Sequence, residues 1–169
     1  MDIRKIYFDM DGVLADFDGG VLDLCHMESS KRCGKPDFAH DDRMWDAIRK
    51  IDHFYDRLEL MPGAEALFHA VYSAWGERCE ILTGIPKPER RIVTAAEDKV
   101  SWVRRKLSET VKVNTVFRKE KILFCTGADT ILIDDRADTI RKWNRQGGTG
   151  ILHTSAEETE INLKEMKLL

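Results

Sequence analysis

The sequence predicts an α/β fold in which a parallel sheet has helices on both faces and a small helical cap follows the first strand. Short apolar strands alternate with amphipathic helices along most of the chain. Polar residues follow three of these strands at their carboxyl ends, where open α/β sheets bind their ligands. The segment after the first strand has helical spacing and lacks strand patterning, which indicates an insertion.

The composition is that of one ordinary globular domain, or one domain with an inserted lobe. The chain has 169 residues, of which 43% are hydrophobic and 34% are charged, which excludes a disordered or fibrous protein. Its net charge of −3 and its dispersed basic residues provide no electrostatic field for a long nucleic acid. No apolar stretch is as long as a membrane span, and the first strand begins too early for a signal peptide. We therefore expect a cytoplasmic protein with no membrane or polynucleotide partner.

The four cysteines are expected to be reduced thiols. Cys25, Cys33, Cys79 and Cys125 form no CxxC pair, and the last two lie in or beside apolar runs. Such a pattern is typical of thiols in a reducing compartment and disfavours a disulfide framework or a zinc site.

The insertion after the first strand is predicted to be helical. The first strand is expected over about residues 4–9. Apolar residues then recur with helical spacing around Val21 and from Met44 to Ile51. The stretch Ser29–Pro36 between them has the composition of a loop. We expect residues 17–60 to form the cap.

The remaining residues, 1–16 and 61–169, are assigned to the core. A helix is expected to open at Pro62-Gly63-Ala64, with the proline in its first turn. The later strands are expected at Cys79–Thr83, Val111–Phe117, 129–133 and Gly150–His153. The other helices are expected over Ala95–Leu107, up to Gly147 as a C-terminal cap, and after Ser155, which forms a capping box with Glu158.

Polar side chains at three strand ends are predicted to converge on one edge of the sheet. Asp9 and Asp11 follow the first strand, Thr83 ends the second, and Asp134 and Asp135 follow the fourth. A strand-ending threonine taken alone is well explained as a helix cap. The acid pairs are not, because adjacent carboxylates repel each other unless a cation binds them. Carboxylate oxygens with few thiols or imidazoles favour a hard cation such as Mg²⁺.

Four motifs then resemble those of the haloacid dehalogenase (HAD) superfamily of phosphohydrolases. They are DMDGVLADF from Asp9 to Phe17, ILTG around Thr83, a lysine before the fourth strand, and ILIDDR at residues 131–136. Within this superfamily the chain most resembles the 5'(3')-deoxyribonucleotidase family, since LMPGAEAL, DKVSWVRRKL and GILHTSA also resemble blocks of that family. The resemblance extends over nearly the whole chain and implies a Rossmann-like core with a helical cap.

The resemblance implies catalytic roles for the first two acids. Asp9 would be the nucleophile that forms an aspartyl-phosphate. Asp11 would be the general acid that protonates the leaving oxygen and then the base that activates water. Dehalogenases of the superfamily lack this second acid because a halide needs no proton, so Asp11 favours phosphate chemistry.

The resemblance also implies a Mg²⁺ site. Asp135 aligns with the family's direct metal ligand, beside one oxygen of Asp9 and the backbone carbonyl of Asp11, and Asp134 would support this site indirectly. The metal would offset the repulsion between an anionic nucleophile and an anionic substrate. Thr83 would donate a hydrogen bond to a phosphoryl oxygen.

The segment Arg118–Lys121 leaves the choice of the phosphate-binding lysine open. Lys121 matches the motif lysine, and Lys119 stands where the family has an arginine; a solvated charge cluster is the alternative reading. Gly84 occupies a position where relatives often have a phosphate-binding serine, although it still offers a backbone N–H. These two departures affect how phosphate and sugar would be bound.

Substrate specificity is expected to come from the cap. Phe17 matches a phenylalanine of the family that packs on the substrate base, and Trp45 is a further candidate for that surface. Phe54 and Tyr55 are also aromatic, but at helical spacing such residues are more often part of a core.

We therefore predict a Mg²⁺-dependent phosphomonoesterase that acts on a small molecule, most simply a deoxyribonucleoside monophosphate. Two alternatives remain open: a phosphatase for another small phosphomonoester, and a nucleotide-binding or regulatory protein without turnover. The presence of Asp9, Asp11 and a motif lysine argues against the second alternative. A homodimer is one assembly compatible with the sequence.

Overall fold

The computed structural model describes residues 2–32 and 37–169, and its centre is a five-stranded sheet. The strands are β1 (Lys5–Phe8), β2 (Cys79–Ile85), β3 (Val113–Phe117), β4 (Thr130–Asp134) and β5 (Thr149–Leu152). Their spatial order is β3-β2-β1-β4-β5, and neighbouring strands run parallel. The predicted α/β fold with a parallel sheet is confirmed, and β1 lies at its centre.

Helices surround the sheet and fill the segment after β1. The α-helices are α1 (Phe17–Cys25), α2 (Phe38–Arg49), α3 (Ala64–Trp75), α4 (Ala95–Lys106), α5 (Ala137–Arg145) and α6 (Ala156–Glu165). Short 3-10 helices include Phe54–Arg57 and Arg118–Phe124. Residues 17–60 are thus largely helical, and their separation from the core as a cap stays a prediction. Within the described ranges, no helix is both long and apolar enough to cross a membrane.

Parts of two predictions lie outside the described residues. The expected loop Ser29–Pro36 is described only up to residue 32, so Cys33 has no described environment. The other three cysteines are free thiols, and two of them, Cys79 and Cys125, are buried.

The helix ends follow most of the expected signals. The Ser155 hydroxyl accepts a hydrogen bond from the Glu158 backbone N–H at 3.1 Å, which caps α6. Gly147 follows α5 with φ of +92°, a conformation that glycine adopts without strain. The placement of Pro62 inside a helix was wrong. Gly63 has a left-handed φ of +73° and is the N-cap of α3, so the proline precedes the helix.

Both faces of the central strand are buried, which explains its apolar sequence. Phe8 belongs to the cluster that contains Phe68 of α3 and Trp102 of α4. Tyr7 points to the opposite face and packs edge-on against Trp143 of α5, with 6.0 Å between ring centroids. Trp102 and Trp143 are fully buried. A strand covered on both sides holds the residues that follow it in a fixed position.

Polar contacts attach residues 17–60 to the rest of the molecule. The Trp102 indole N–H donates to the backbone carbonyl of Leu58 at 2.7 Å, inside the core. Arg90, in the loop after β2, donates to Asp41 at 2.8 Å and to Asp42 at 2.5 Å, both in α2. The position of the helical segment over the sheet is therefore set by directed contacts as well as by apolar packing.

A further contact of this kind predicts a pH-dependent contribution to stability. His53 donates from Nδ1 to the buried carboxylate of Asp98 at 2.7 Å, and this hydrogen bond raises the pKa of His53. The contact therefore stabilises the fold fully below the ordinary histidine pKa of about 6.5, and the stabilisation is lost as pH rises through the higher folded value. Between pH 6 and pH 8.5, the urea midpoint should fall more steeply in the native protein than in His53→Gln. His26→Gln, at the exposed end of α1, is the matched control and should keep the native slope.

Candidate active site

The polar residues at the strand ends meet because β1, β2 and β4 are neighbours. Phe8 of β1 is in register with Ile81 of β2 and Ile133 of β4. The backbone N–H of Asp9 donates to the Ile133 carbonyl at 2.9 Å, so Asp9 stands beside Asp134. The carboxyl ends of parallel strands thus bring acids that are distant in sequence to one edge of the sheet.

Three carboxylates and one ammonium group form the centre of this edge. Asp9, Asp134 and Asp135 each offer one oxygen, and these oxygens lie within 4.8 Å of one another. Lys121, on the 3-10 helix Arg118–Phe124, lies 2.7 Å from Asp9 Oδ1 and 2.7 Å from Asp134 Oδ2. Lys121 is buried, whereas Lys119 is exposed and outside this cluster. The structure therefore places the matched motif lysine, and not its neighbour, among the acids.

Burial and mutual repulsion shape the charges of this cluster. Burial, and after it the charge of Asp9, raise the pKa of Asp134 to about 6, although Lys121 opposes both effects. For Lys121, burial alone would lower the pKa, but Asp9 and Asp134 together outweigh burial and raise it. Lys121 is therefore an ammonium ion at neutral pH, and it offsets part of the negative charge.

The remaining negative charge fits a hard cation. Both oxygens of Asp134 are engaged, one by Lys121 and the other by the backbone N–H of Arg136 at 2.9 Å. Lys121 contacts Oδ1 of Asp9, which leaves its Oδ2 atom available to an ion. Oxygen donors without sulfur or imidazole suit Mg²⁺. The donor set therefore fits that metal, with Asp9 and Asp135 better placed to bind it than Asp134.

A second buried lysine, Lys99 of α4, holds the other motif acid. Lys99 is fully buried, and its ammonium group donates to Asp11 Oδ2 at 2.6 Å, to Thr83 Oγ1 at 3.0 Å and to the Gly84 carbonyl at 2.8 Å. It also lies 4.5 Å from the ring centroid of Tyr55, a cation–π distance. Lys99 thus connects the ends of β1 and β2 with the helical insertion. The side chain of Asp11 is turned towards it and is not part of the three-carboxylate cluster.

Sequence reasoning missed Lys99, although the sequence contained a signal. The helical spacing of Val100, Val103 and Leu107 predicts the apolar face of α4. The buried face also includes Lys99, which lies one turn before Val103, and Trp102. A lysine on the buried side of an amphipathic helix needs an anionic partner. Asp11 was already available as that partner.

The environment of Asp11 favours its protonated form. Burial raises the pKa of this carboxyl, the charge of Lys99 lowers it, and the charge of Asp9 raises it again, with a net upward shift. Its Oδ1 atom is buried and has no hydrogen-bond partner in the described part of the chain. A buried oxygen without a partner is costly unless a ligand or a proton satisfies it. Asp11 can therefore carry a proton on Oδ1 while Lys99 holds Oδ2.

Four aromatic residues of the insertion pack together beside this site. Phe17 stacks on Tyr55 with 6.2 Å between ring centroids, and it lies 5.7 Å from Phe54 and 6.1 Å from Trp45. Phe54 and Tyr55 are almost completely buried, whereas Phe17 and Trp45 are only partly covered. Phe54 and Tyr55 therefore form the buried part of the cluster. Phe17 and Trp45 keep some exposed aromatic surface.

Comparison with known proteins assigns the chain to a family. A family model described as "5' nucleotidase, deoxy (Pyrimidine), cytosolic type C protein" matches residues 3–166. The chain belongs to this nucleotidase family. It is a HAD-superfamily hydrolase that acts on phosphomonoesters, as the motifs predicted. No curated protein matches the chain in sequence.

Solved structures share the fold of this nucleotidase at low sequence identity. A hydrolase from Streptococcus pneumoniae TIGR4 is 13% identical, with a TM-score of 0.53 and coverage of 97% of this chain and 100% of the other. A HAD family hydrolase from Deinococcus radiodurans R1, with bound phosphate and sodium, is 14% identical, with a TM-score of 0.53 and coverage of 99% and 98%. A HAD-superfamily hydrolase from Ehrlichia chaffeensis is 10% identical, with a TM-score of 0.54 and coverage of 98% of each chain.

A glycine shapes the turn that carries the motif acids of the nucleotidase. Gly12 has φ of +80°, which other residues adopt only with strain. A Cβ atom at this position would lie 2.2 Å from Asp135 Oδ2, well inside contact distance. Glycine is therefore required both by the backbone turn after Asp11 and by the close approach of Asp135.

One more side chain reaches the nucleotidase site and was not predicted from the sequence. Lys31, in the insertion between α1 and α2, forms an ion pair with Asp135 Oδ2. The Lys31 side chain is 51% exposed, whereas that of Asp135 is 9% exposed. In the sequence Lys31 is one of several polar residues in an expected loop, and no spacing rule links it to a strand 100 residues later.

Proposed function

We propose that the protein is a Mg²⁺-dependent 5'(3')-deoxyribonucleotidase that hydrolyses deoxynucleoside monophosphates through an aspartyl-phosphate. The observation that carries this proposal is the contrast between two acids one residue apart. Asp9 lies in the three-carboxylate cluster, 2.7 Å from Lys121. Asp11 is instead turned towards Lys99, burial raises its pKa, and its buried Oδ1 atom has no hydrogen-bond partner in the described part of the chain. Such a contrast suits one carboxyl as nucleophile and the other as proton donor.

The reaction would proceed in two halves. In the first, an oxygen of Asp9 bonds to phosphorus, the bond from phosphorus to the leaving oxygen breaks, and Asp11 gives its proton to that oxygen. In the second, Asp11 takes a proton from the water that attacks phosphorus, which releases inorganic phosphate and restores Asp9. The hydrogen bond from Lys99 to Asp11 Oδ2 leaves Oδ1 as the atom that carries the proton.

The metal would be held at the three-carboxylate cluster. Asp9, Asp135 and the backbone carbonyl of Asp11 are the proposed ligands, and Asp134 supports them while bonded to Lys121. Mg²⁺ bound there would reduce the repulsion between the Asp9 carboxylate and the phosphate.

Thr83 and Lys121 are the proposed contacts to the phosphoryl oxygens. The Thr83 hydroxyl accepts a hydrogen bond from Lys99, so its own proton is available for a phosphoryl oxygen. Lys121 is an ammonium ion beside the nucleophile. Gly84 gives its carbonyl to Lys99 and has no hydroxyl for the phosphate. Lys119 is exposed and lies outside the three-carboxylate cluster, so its contact with the phosphate or sugar stays a prediction from the sequence.

The nucleoside would lie under the helical insertion. We propose residues 17–60 as a cap that closes over the substrate and excludes water from the aspartyl-phosphate. Phe17 and Trp45 support this proposal, since both rings are partly exposed and Phe17 stacks on Tyr55, whose ring lies beside Lys99. A base stacked on such a ring gains contact area with little loss of side-chain freedom. A cytoplasmic location and a homodimer stay predictions from the sequence.

Phosphate release from a panel of phosphomonoesters tests the proposed function. The panel contains ribonucleoside and deoxyribonucleoside monophosphates, with 5' and 3' phosphates, and common sugar phosphates, each assayed with Mg²⁺ and with a chelator. We expect release that requires Mg²⁺ and is greatest with deoxynucleotides. Release mainly from sugar phosphates would retain the catalytic residues and overturn the substrate. Absence of release from every compound would favour a nucleotide-binding protein without turnover.

A further inference from the structure

Two neighbouring cations of the insertion have different partners. Lys31 pairs with Asp135 of the catalytic edge, 104 positions away in sequence. Arg32, the next residue, instead lies 3.8 Å from Asp18 and 3.9 Å from Glu28, both within the insertion. Only the first of these cations therefore reaches the active site. The second has the same charge and nearly the same place in the chain, which makes it a matched control.

The contact of Lys31 conflicts with the proposed metal site. Asp135 is one of the two carboxylates best placed to hold Mg²⁺, and an ammonium group already occupies its Oδ2 atom. An ammonium group and a divalent ion on one carboxylate repel each other strongly at such separations. Lys31 and a metal ion therefore weaken each other's binding to Asp135.

The other acids of the site already form ion pairs with other lysines. Asp9 and Asp134 are bonded to Lys121, and Asp11 is bonded to Lys99. Once a metal occupies Asp135, a substrate phosphate bound to that metal would supply a negative charge in the same region. The exposed, flexible side chain of Lys31 allows its ammonium group to change partner within the same region.

We propose that Lys31 is a substrate-binding residue supplied by the cap, which exchanges its bond to Asp135 for a bond to the substrate phosphate when the metal binds. This inference rests on the proposed function, because it needs both a divalent ion at Asp135 and a phosphate on that ion. It assigns to the insertion a contact with the reacting group, in addition to the aromatic contacts with the nucleoside. Binding of metal and phosphate is then coupled through one side chain.

This exchange predicts effects of opposite sign for one substitution. In Lys31→Gln the competitor for Asp135 is lost, so Mn²⁺ alone should bind about 3- to 10-fold more tightly. The same variant lacks the cation that receives the phosphate, so inorganic phosphate should bind the Mn²⁺-loaded protein about 5- to 20-fold more weakly. A residue that only maintained the loop would weaken both equilibria, and a residue without a role would change neither.

The experiment measures both equilibria on the full chain without turnover. Mn²⁺ affinity is obtained from the electron paramagnetic resonance signal of the free ion, and phosphate affinity at saturating Mn²⁺ from titration calorimetry. The native protein, Lys31→Gln and Arg32→Gln are compared, with urea unfolding as a check on folding. We expect the opposed changes in Lys31→Gln and changes below about twofold in Arg32→Gln.

Two sets of results would overturn the proposal in distinguishable ways. If the native protein binds Mn²⁺ and phosphate and hydrolyses nucleotides, but Lys31→Gln resembles Arg32→Gln or weakens both equilibria, the role of Lys31 is wrong and the proposed function stands. If the native protein binds neither Mn²⁺ nor phosphate, both the proposed function and the role of Lys31 are wrong.

Discussion

Replacing Asp9 with asparagine should lower the rate of phosphomonoester hydrolysis at least about 1,000-fold, because an amide cannot attack phosphorus as a carboxylate does. The side chain keeps its shape, and the cluster loses one of three neighbouring negative charges. The urea midpoint of Asp9→Asn should therefore equal or exceed that of the native protein. Single-turnover hydrolysis of a deoxynucleoside monophosphate with Mg²⁺, beside urea unfolding, measures both quantities.

Asp23→Asn is the control for this substitution. Asp23 lies on the exposed side of α1, and its replacement changes the net charge by the same amount. This variant should keep the native rate within about twofold, as distant surface substitutions do. Retention of more than about a tenth of the activity by folded Asp9→Asn would show that another group is the nucleophile.

Replacing Lys99 with methionine should lower kcat about 100-fold or more near neutral pH, because Asp11 and Thr83 lose the hydrogen bonds that position them, and it should also move the pH dependence of kcat. The charge of Lys99 lowers the pKa of Asp11, so its removal raises that pKa. Since Asp11 must be protonated to release the leaving oxygen, kcat in the native protein should fall as pH rises through this pKa. In Lys99→Met, we expect the fall at a pH about one unit or more higher.

The shift in pH dependence separates this role from simple structural support. Misplacement of Asp11 alone would lower kcat at every pH and leave the midpoint of the pH profile unchanged. Lys106→Met, at the end of the same helix, where Lys106 contacts the exposed Glu59 at 3.3 Å, should retain both the native rate and the native profile. A Lys99→Met enzyme with an unchanged midpoint would refute the electrostatic role of Lys99.

The sequence was sufficient to predict the strands of the sheet and the acids at its carboxyl edge. Apolar segments of four to seven residues that lie between amphipathic helices are readily recognised as strands. Asp9 directly follows β1 and Asp134 ends β4, so the position of each acid follows from its strand. Spacing could not decide between Lys119 and Lys121, because both lie in one short polar segment. The 3-10 helix over Arg118–Phe124 buries Lys121 and exposes Lys119.

The site residues that the sequence did not predict are positioned by tertiary packing rather than by a local sequence pattern. In the sequence Lys99 is one of several charged residues of a helix, and its role follows only from its burial against Asp11 in the folded protein. Lys31 lies in a segment without periodicity, so its position depends on how the insertion packs over the sheet. Contacts over such separations follow from the whole fold, and no window of neighbouring residues contains the information.

The long sequence separation between the lysines of the site and their acidic partners also determines when during folding the protein becomes catalytically active. Lys99 meets Asp11 across 88 positions, and Lys31 meets Asp135 across 104 positions. A chain emerging from the ribosome therefore has no functional centre until β4 has been synthesised and inserted beside β1. Contacts of such long range are costly to close and form late in folding. Catalytic activity is thus among the last properties that a newly made or refolding molecule acquires, and a partly folded molecule lacks the assembled active site.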